Sequence, residues 1–529
     1  MAGSILIRNA RIIDGTGAPW FRGDARIENG RIAAIGPALA GQADRVIEAG
    51  EAWLAPGFID AHCHDDLVFL REPDRPEKIA QGVTTIVAGN CSFSLYPASA
   101  DSHELLRGHF AGLLGETGSD EIFADFSAYR AELHRRGIAP NLVSLVGHGA
   151  IRLAVMGYEN RPATEAEITR MQALLKAQLE AGAAGISYGL VYPPSAFADE
   201  RELVALAETA AACGKLVAAH VRSYEGGLMS SIEEFLAVLR KARAPGLLSH
   251  LQAAGRPNWG RIPAAIDRLE AARCEGIDVS FDMYPYMAGS SYMLQLLPPS
   301  SLEGGLPALL ARLADPATRA TLRDWVEKGD DDPELQSKIS LIGWSNVQLS
   351  AIGAEHLKSL EGLRMDEAAR RLGIAPFDLL VRFVEEDEGR TGIVMFQLDE
   401  ADVRCACSHR LHMVGSDGLP RPGAKVHPRA FGTFPRVAGP LRVEALWFSL
   451  EDAVRRMTSI SAQRFGLYDR GIMRPGAVAD IVIFEDDISD RATFTQSDLL
   501  ASGIRHVLVA GEPVILDGRP TGARPGAVL

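Results

Sequence analysis

The segment 57–64 constrains this chain more than any other, because a strand-like apolar run there leads into two closely spaced histidines. In an extended strand the side chains alternate between faces, so His62 and His64 point the same way and Cys63 points the other way. Two imidazoles on one face, where an apolar strand enters a polar loop, form half of a site for a first-row metal. A pair of surface or capping histidines is the ordinary alternative, and the rest of the chain decides between the two.

The size and charge of the chain point to a large globular protein with a small-molecule partner. With 529 residues, of which 47% are apolar, the chain can bury a large core, and we expect one large domain and one smaller one. The net charge of −14, with no basic block, argues against nucleic acid and anionic membranes as partners. No apolar run approaches the roughly 20 residues that are needed to span a bilayer.

The cysteines and the first residues favour a reduced, cytoplasmic setting. Six cysteines are spread thinly through the chain, so a disulfide framework is not expected. The residues after Met1 lack the charged-then-apolar pattern of a secretory signal peptide. Cys405 and Cys407 form a Cys-x-Cys pair that no second pair accompanies, which favours a structural role over a metal clip.

Both ends of the chain have the pattern of short β-strands that are broken by turns. The strand-like pieces cover 4–13, 24–29, 31–35 and 45–48 at the start, and 479–484, 504–510 and 514–516 at the end. Each flank alone is short for a core, and chain ends in compact proteins often lie close together. We therefore predict a small β-sandwich domain that is formed from both termini, residues 1–56 plus 470–529. Two separate domains in tandem are the alternative.

The middle of the chain alternates short apolar strands with amphipathic helices. The strands are predicted at 84–88, 141–146, 185–187, 215–219, 246–249, 278–281 and 411–414, and the helices at 165–181, 200–213, 231–242 and 261–274. Such β–α units over roughly 350 residues favour a (β/α)8 barrel over an open sheet, although periodicity alone does not separate the two. We predict an α/β fold with a TIM-like barrel at 57–469 and a helix-rich insertion at about 290–400 that could act as a lid.

Metal-binding side chains follow the predicted strands in the order that a barrel needs. After the two histidines of the first strand, the residues at strand ends are Cys91, His148, His220, His250 and Asp417. The active site of a (β/α)8 barrel is built at the C-terminal ends of its strands, so these side chains are expected to converge. Several strands that each end in a metal ligand are hard to explain as ordinary buried histidines. The sequence therefore predicts a metal centre.

A set of short motifs is spread over nearly the whole chain. The motifs lie at 56–65, 81–85, 89–91, 185–193, 220–222, 258–260, 282–286, 415–418, 427–429 and 476–480. This set resembles the D-aminoacylase (N-acyl-D-amino-acid deacylase) branch of the metal-dependent amidohydrolase superfamily. The resemblance implies a zinc-dependent hydrolase that cleaves a linear amide, most directly an N-acyl-D-amino acid or a related N-acyl compound.

The resemblance also implies two sets of metal ligands. The ligands of a tightly held zinc ion match Cys91, His220 and His250. A second, weaker metal position matches His62, His64 and Asp417, with the cysteine placed to bridge the two. The stretch 183–192 contains no lysine for the carboxylated bridge that many superfamily members use. A cysteine thiolate is a sensible substitute, because zinc favours sulfur and lowers the thiol pKa.

By the same resemblance, Asp417 is the general acid and base, which takes a proton from a metal-activated water and returns it to the leaving amine. A solvated turn aspartate is the alternative. Tyr192 matches a position near the substrate carbonyl, where a phenol would stabilise an oxyanion, although a packing tyrosine is almost as common there. Tyr284 and Ser290, in the segment 284–292, are expected to line the substrate pocket.

The chain departs from this family two residues after His250. Many members carry a lysine there that is associated with the substrate carboxylate, whereas this chain has Gln252. A hydrogen bond to a charged group contributes about 1.5–3 kcal/mol, against about 0.5–1.5 kcal/mol for a neutral one. The loss should weaken selection for a free carboxylate by roughly one to two powers of ten. Arg222, Arg429 and Arg436 are the candidates for supplying the charge instead.

Three functions therefore remain open from the sequence. The first is the linear-amide hydrolase, and the second is a cyclic-amide hydrolase of the hydantoinase or imidase kind, which the change at Gln252 keeps open. The third is a non-catalytic assembly protein, which would be expected to have lost ligands that this chain retains. The sequence does not decide the acyl group, the D or L preference, the number of metals or whether the protein is a homo-oligomer.

Overall fold

Strands and helices alternate along most of the chain in this computed structural model, which describes residues 3–330, 332 and 334–529. In chain order, the strands are β1 (Ile5–Ile12), β2 (Phe21–Glu28), β3 (Arg31–Gly36), β4 (Arg45–Glu48), β5 (Trp53–Pro56), β6 (Phe58–Asp60), β7 (Val83–Ala88), β8 (Asn141–Ser144), β9 (Val146–Gly147), β10 (Gly185–Gly189), β11 (Leu216–His220), β12 (Gly246–Leu248), β13 (Val279–Met283), β14 (Ala288–Tyr292), β15 (Val347–Ser350), β16 (Gly392–Phe396), β17 (His412–Val414), β18 (Ile481–Ser489), β19 (Ser502–Val509), β20 (Glu512–Leu516) and β21 (Arg519–Pro520).

The helices are α1 (Val68–Arg71), α2 (Pro76–Ile79), α3 (His103–Leu113), α4 (Phe126–Arg136), α5 (His148–Met156), α6 (Glu165–Glu180), α7 (Glu200–Ala212), α8 (Leu228–Ala242), α9 (Ile262–Cys274), α10 (Gly305–Ala314), α11 (Pro316–Lys328), α12 (Lys338–Ile342), α13 (Met365–Leu372), α14 (Pro376–Glu386), α15 (Glu400–Ser408), α16 (Arg429–Ala438), α17 (Pro440–Val443), α18 (Leu450–Met457) and α19 (Ser459–Arg464). Among the helices of the described residues, none combines the length and the apolar character that a membrane crossing requires.

Strands from both ends of the chain share one sheet of nine strands, in the order β21-β20-β19-β18-β5-β1-β2-β3, with β4 paired to β1. The two ends join where β18 pairs antiparallel with β5. Ile32 exchanges backbone hydrogen bonds of 2.8 and 2.9 Å with Gly476 and Ala477, so the far edge of the sheet returns towards β18. The sheet thereby curls over its own apolar core. This single ladder differs from the predicted two-sheet sandwich, because β1 pairs with β2 along one edge and with β4 and β5 along the other.

Parallel strands form the middle of the molecule. One sheet has the order β6-β7-β8, and a second has the order β17-β13-β12-β11-β10-β9. Every residue of β7, β10, β11, β12 and β13 is buried, as expected of parallel strands that are covered on both faces. Between the edge strands β6 and β17 of the two sheets, the Ala61 N–H donates to the Val414 carbonyl at 3.1 Å. The α/β class is therefore confirmed, whereas complete closure into a barrel stays a prediction.

Side-chain caps fix where several helices between these strands begin. Asp125 accepts a hydrogen bond from the backbone of Ala128 at the start of α4, and Asp199 caps the start of α7 in the same way. Thr164 and Glu167 form a reciprocal capping box at the start of α6. Such caps satisfy backbone N–H groups that have no partner within the helix. The predicted starts of α6 and α7 are therefore confirmed to the residue, because polar residues mark them in the sequence.

The insertion has a core of its own that is separate from the main core. It contains the helices α10 to α14 and a three-stranded antiparallel sheet in the order β14-β16-β15. The helix-rich character agrees with the sequence prediction, whereas most of the sheet was not predicted. The strand β14 reads Ala-Gly-Ser-Ser-Tyr, and this composition lacks the β-branched residues that usually mark a strand.

The turn after β7 is held by close backbone packing. Gly89 has a φ of +80°, and a Cβ atom at this position would overlap the carbonyl oxygen of Leu145. The residues that follow, Cys91 and Ser92, also lie in the left-handed region, with φ of 52° and 82°. Non-glycine residues in this region cost on the order of 1–3 kcal/mol each and persist only where the surroundings enforce them. The packing at Gly89 is therefore what presents Cys91 at the strand ends.

We expect Gly89→Ala to lower the melting temperature clearly more than Gly276→Ala does. Gly276 is a matched control, because it has a φ of +90° but no atom within 4 Å of the place that a Cβ would occupy. Both changes carry the left-handed penalty of about 1–2 kcal/mol, and only Gly89→Ala adds a backbone overlap. Thermal melts of the two variants would check this, and equal losses would contradict the role of packing at Gly89.

Candidate active site

Side chains from the ends of the parallel strands meet at one point. His62 Nε2 lies 3.2 Å from Cys91 Sγ, which in turn lies 3.6 Å from His250 Nε2. On the other side, Asp417 Oδ1 lies 3.6 Å from His62 Nε2 and 3.2 Å from His64 Nε2. These residues form two buried clusters, and within each cluster the ligand atoms lie within 4.8 Å of one another. The clusters are His62, Cys91 and His250, and His62, His64 and Asp417.

His220 faces the same space from the end of β11. Its ring centroid lies 4.5 Å from that of His250 and 5.0 Å from that of Tyr192. Among the described residues, neither three-residue cluster includes His220, and its buried Nδ1 has no hydrogen-bond partner. Burial, followed by the charge of His250, lowers the pKa of His220 well below its usual value, so the ring is neutral. The family resemblance pairs His220 with Cys91, whereas the cluster that contains the sulfur holds His62 and His250.

Asp282, near the end of β13, orients two of these histidines. Its Oδ2 lies 3.2 Å from His62 Nδ1, and its Oδ1 accepts the backbone N–H of His250 at 3.0 Å. A carboxylate on Nδ1 holds the ring so that the other nitrogen, Nε2, faces the cluster, where it could bind a metal ion. Asp282 has no role in the sequence predictions. The sequence could have indicated Asp282, because it is an acidic residue near the end of a buried strand, as Asp417 is.

Three residues of the clusters have left-handed backbone, although none is a glycine. The φ angles are 52° at Cys91, 33° at His250 and 48° at Asp417. Such conformations cost on the order of 1–3 kcal/mol each, and they concentrate at functional sites. This backbone strain lies at the C-terminal ends of the strands, where the two clusters are, and it supports a functional role for this end of the sheet.

Asp417 is buried between a cation and imidazole rings. Arg429 Nη2 lies 2.8 Å from its Oδ2, while its Oδ1 faces His64. Burial alone would raise the pKa of Asp417, but Arg429, His250 and His64 outweigh burial and hold the pKa well below the usual range. The carboxylate is therefore ionised at neutral pH, as a proton acceptor must be.

The donor set of the clusters fits zinc. Burial raises the pKa of the Cys91 thiol to about 11, despite the opposing influence of His62. A divalent cation among these groups deprotonates a coordinating thiol, and one sulfur with imidazole nitrogens and a carboxylate is a set that zinc prefers. The buried Nδ1 atoms of His64 and His220 have no hydrogen-bond partner in the described part of the chain.

A small cavity opens on the clusters and reaches into the insertion. Tyr192, Gln252, Tyr284 and Ser290, which the sequence predicts as substrate-binding residues, all line it. The free space is about 30 Å³ in this conformation, which is room for roughly two water molecules. A larger molecule enters only if side chains of the insertion move, as expected of a lid.

The arginines that the sequence suggested for a substrate carboxylate are engaged elsewhere. Their ion pairs are Arg222–Glu234 at 2.9 Å, Arg429–Asp417 at 2.8 Å and Arg436–Asp490 at 3.1 Å. None of the three arginines belongs to the described lining of this cavity, and the substrate contacts of Arg222 and Arg429 stay predictions.

Gln252 lies between His250 and Tyr284. Its Nε2 lies 3.4 Å from His250 Nδ1, and the Tyr284 hydroxyl donates to its Oε1 at 3.2 Å. A histidine whose Nε2 faces the cluster as an acceptor carries its proton on Nδ1. The amide can turn its oxygen towards this proton and donate its NH2 group to the tyrosine hydroxyl. A lysine at this position could not accept that hydrogen bond.

Tyrosine rings surround the histidines. Burial raises the pKa of Tyr192 well above its usual value, so this side chain stays a phenol and keeps its O–H donor. Tyr224, which was not among the predicted residues, donates its hydroxyl to the Ser249 carbonyl at 2.7 Å. Its ring packs edge-on against His220 and His250, with centroids 4.9 and 5.1 Å away. Tyr224 therefore fixes the positions of both rings.

Other residues that the sequence singled out lie away from this site. His148 is buried at the start of α5, where its Nε2 lies 2.7 Å from Glu202 Oε1. Cys405 and Cys407 lie on α15, and neither forms a disulfide. His148, Cys405 and Cys407 thus lie outside both clusters, and their positions favour a structural role.

Comparisons with known proteins identify the family. The chain belongs to the Amidohydrolase family, whose profile matches residues 45–515. It is similar to N-acyl-D-glutamate deacylase of Alcaligenes xylosoxydans xylosoxydans, with 36% identity over 529 residues that cover 99% of this chain and 96% of that protein. It is also similar to D-aminoacylase of the same organism, with 34% identity over 527 residues that cover 99% and 97% of the two chains.

A solved structure resembles the whole molecule. N-acyl-D-glutamate deacylase from Bordetella bronchiseptica, complexed with zinc and a phosphonate inhibitor that mimics the tetrahedral intermediate, superposes with a TM-score of 0.85. The two chains are 36% identical, and the match covers 100% of each. The resemblance to the D-aminoacylase branch that the motifs indicated is therefore confirmed.

Proposed function

We propose that this protein is a zinc-dependent deacylase that hydrolyses the amide bond of an N-acyl-D-amino acid or a related N-acyl compound. The observation that carries the proposal is the cluster of His62, Cys91 and His250 beside an ionised Asp417, at the wall of a tyrosine-lined cavity. The names of the full-length relatives favour the same reaction.

The proposal includes a closed (β/α)8 barrel with the flanking domain at 1–56 and 470–529. The order of the parallel strands supports it, together with the backbone contact between Ala61 and Val414 at 3.1 Å. The small-molecule substrate would enter at the carboxyl ends of the strands, where the active sites of such barrels lie. A cytoplasmic location and a homo-oligomer stay predictions from the sequence.

In this proposal, Cys91, His220 and His250 hold the tightly bound zinc ion, and His62, His64 and Asp417 provide the weaker position. A bound zinc ion polarises the scissile carbonyl and lowers the pKa of water. The closeness of His62 to the sulfur supports a cysteine that is shared between the two positions. Asp282 holds the His62 ring in the orientation that this sharing needs.

The protein side chains carry the proton transfers. Asp417 Oδ1 takes the proton of the attacking water and then returns it to the amide nitrogen, so that the amine leaves as the C–N bond breaks. Arg429 on the other carboxylate oxygen keeps Asp417 ionised and fixed. Tyr192, which lines the cavity, donates its hydroxyl to the oxyanion that develops on the carbonyl.

We expect Cys91→Ala to lose most of the bound zinc. The wild-type protein should carry about one tightly held zinc per chain, and removal of one of three protein ligands breaks such a site. Cys407→Ala is a matched control, because this cysteine is equally buried but lies on α15. Elemental analysis of both purified variants would check the assignment. Undiminished zinc in Cys91→Ala would contradict it.

We expect Asp417→Asn to keep the tightly bound zinc but to lose roughly 10²–10⁴-fold in turnover, because it removes proton transfer and preserves shape. Turnover by zinc-quantified protein is the measurement. Near-normal turnover would show that another group takes the proton. Loss of the tight zinc would show that Asp417 belongs to the primary ligand set instead.

A hydrolysis screen tests the proposed function itself. Zinc-quantified protein would be given N-acyl-D-amino acids, their L enantiomers and cyclic imides under the same conditions. The proposal requires hydrolysis of the linear N-acyl-D compounds. Hydrolysis of the cyclic imides alone would support the hydantoinase-like alternative, and no hydrolysis of any compound would favour a non-catalytic role.

A further inference from the structure

The cavity beside the clusters is lined by a partly buried ammonium group that played no part in the sequence predictions. Lys338 is the first residue of α12 in the insertion, and 13% of its side chain is exposed. Within the described lining of the cavity, it is the only lysine or arginine. His250 and Asp417 line the same cavity, so the ammonium faces the space in which the proposed reaction takes place.

Glu225 holds this ammonium in place. Lys338 Nζ donates to Glu225 Oε1 at 2.5 Å, and the glutamate side chain is only 9% exposed. The other carboxylate oxygen accepts the hydroxyl of Ser223 at 3.2 Å and the backbone N–H of Tyr224 at 3.1 Å. Glu225 is therefore well satisfied. An ammonium has three donors, and the described residues provide Lys338 with this one hydrogen bond.

The neighbouring groups do not supply a competing cation. Gln252 is neutral, and its amide already contacts His250 and Tyr284. The positive charge of this cavity thus comes from Lys338 in the insertion, whereas the position two residues after His250 that carries a lysine in many relatives is Gln252 here.

We propose that Lys338 binds the carboxylate of the acylated amino acid and that Glu225 limits the strength of this contact. The inference rests on the proposed function, because an N-acyl-amino acid carries a carboxylate close to the bond that breaks. A partly buried ammonium with two donors that no described residue occupies matches such an anion. Glu225 is hydrogen-bonded to the same ammonium, so its negative charge repels the substrate carboxylate. Selection for free acids over neutral analogues is therefore present but moderate.

Two opposite substitutions test the inference, each with kcat/KM measured for an N-acyl-D-amino acid and for its carboxamide. Lys338→Met should lower the ratio of acid to amide by about tenfold, mainly through KM, since about 1.4 kcal/mol corresponds to one power of ten. Glu225→Gln should raise the ratio, because glutamine keeps a hydrogen bond to Lys338 and removes the opposing charge. General damage to the site would not move the ratio in opposite directions.

Lys358→Met serves as the matched control, since Lys358 lies in the same insertion, is 51% exposed and pairs with Glu355 at 2.8 Å. It should leave the ratio of acid to amide as in wild type.

If Lys338→Met also leaves the ratio unchanged while wild type hydrolyses the acid, the inference is overturned and the proposed function stands. If wild type hydrolyses neither compound, the proposed function fails. Calorimetric binding of the N-acyl-D-amino acid to Lys338→Met and Lys358→Met then decides the inference, and equal affinities would overturn it.

Discussion

The backbone hydrogen bond from the Asp417 N–H to the His62 carbonyl, at 2.7 Å, joins the last parallel strand to the first. Both three-residue clusters depend on it, because His62 belongs to each and Asp417 reaches the site only from the end of β17. Asp282 fixes the same histidine from the other side. The ends of the first and the last parallel strands are thus held together by hydrogen bonds that involve His62.

The strand-end residues were predictable because they obey local rules. The alternation of side chains along a strand placed His62 and His64 on one face, and the parallel order of strands brought Cys91, His250 and Asp417 to the same edge. The structure bears out this convergence. His220 follows the same rule, although the present distances leave it outside both clusters.

Long-range pairings were not predictable from local patterns. Nothing in the local sequence indicates that Arg222 and Arg429 are held by Glu234 and Asp417, because each pair joins a helix to the loop after a strand. Lys338 was overlooked for a similar reason, since it lies on α12 of the insertion and its partner Glu225 is 113 residues away in the sequence. The reaction site follows from the parallel strands, whereas substrate recognition depends on how the insertion packs over them.

The central claim is that a cysteine thiolate at the strand ends holds the metal. X-ray absorption spectroscopy of the zinc-loaded protein tests it most directly. We expect a zinc–sulfur distance of about 2.3 Å, beside shorter distances to nitrogen or oxygen of about 2.0–2.2 Å. A spectrum that nitrogen and oxygen ligands explain without sulfur would contradict the claim, because Cys91 is the only sulfur in either of the described clusters.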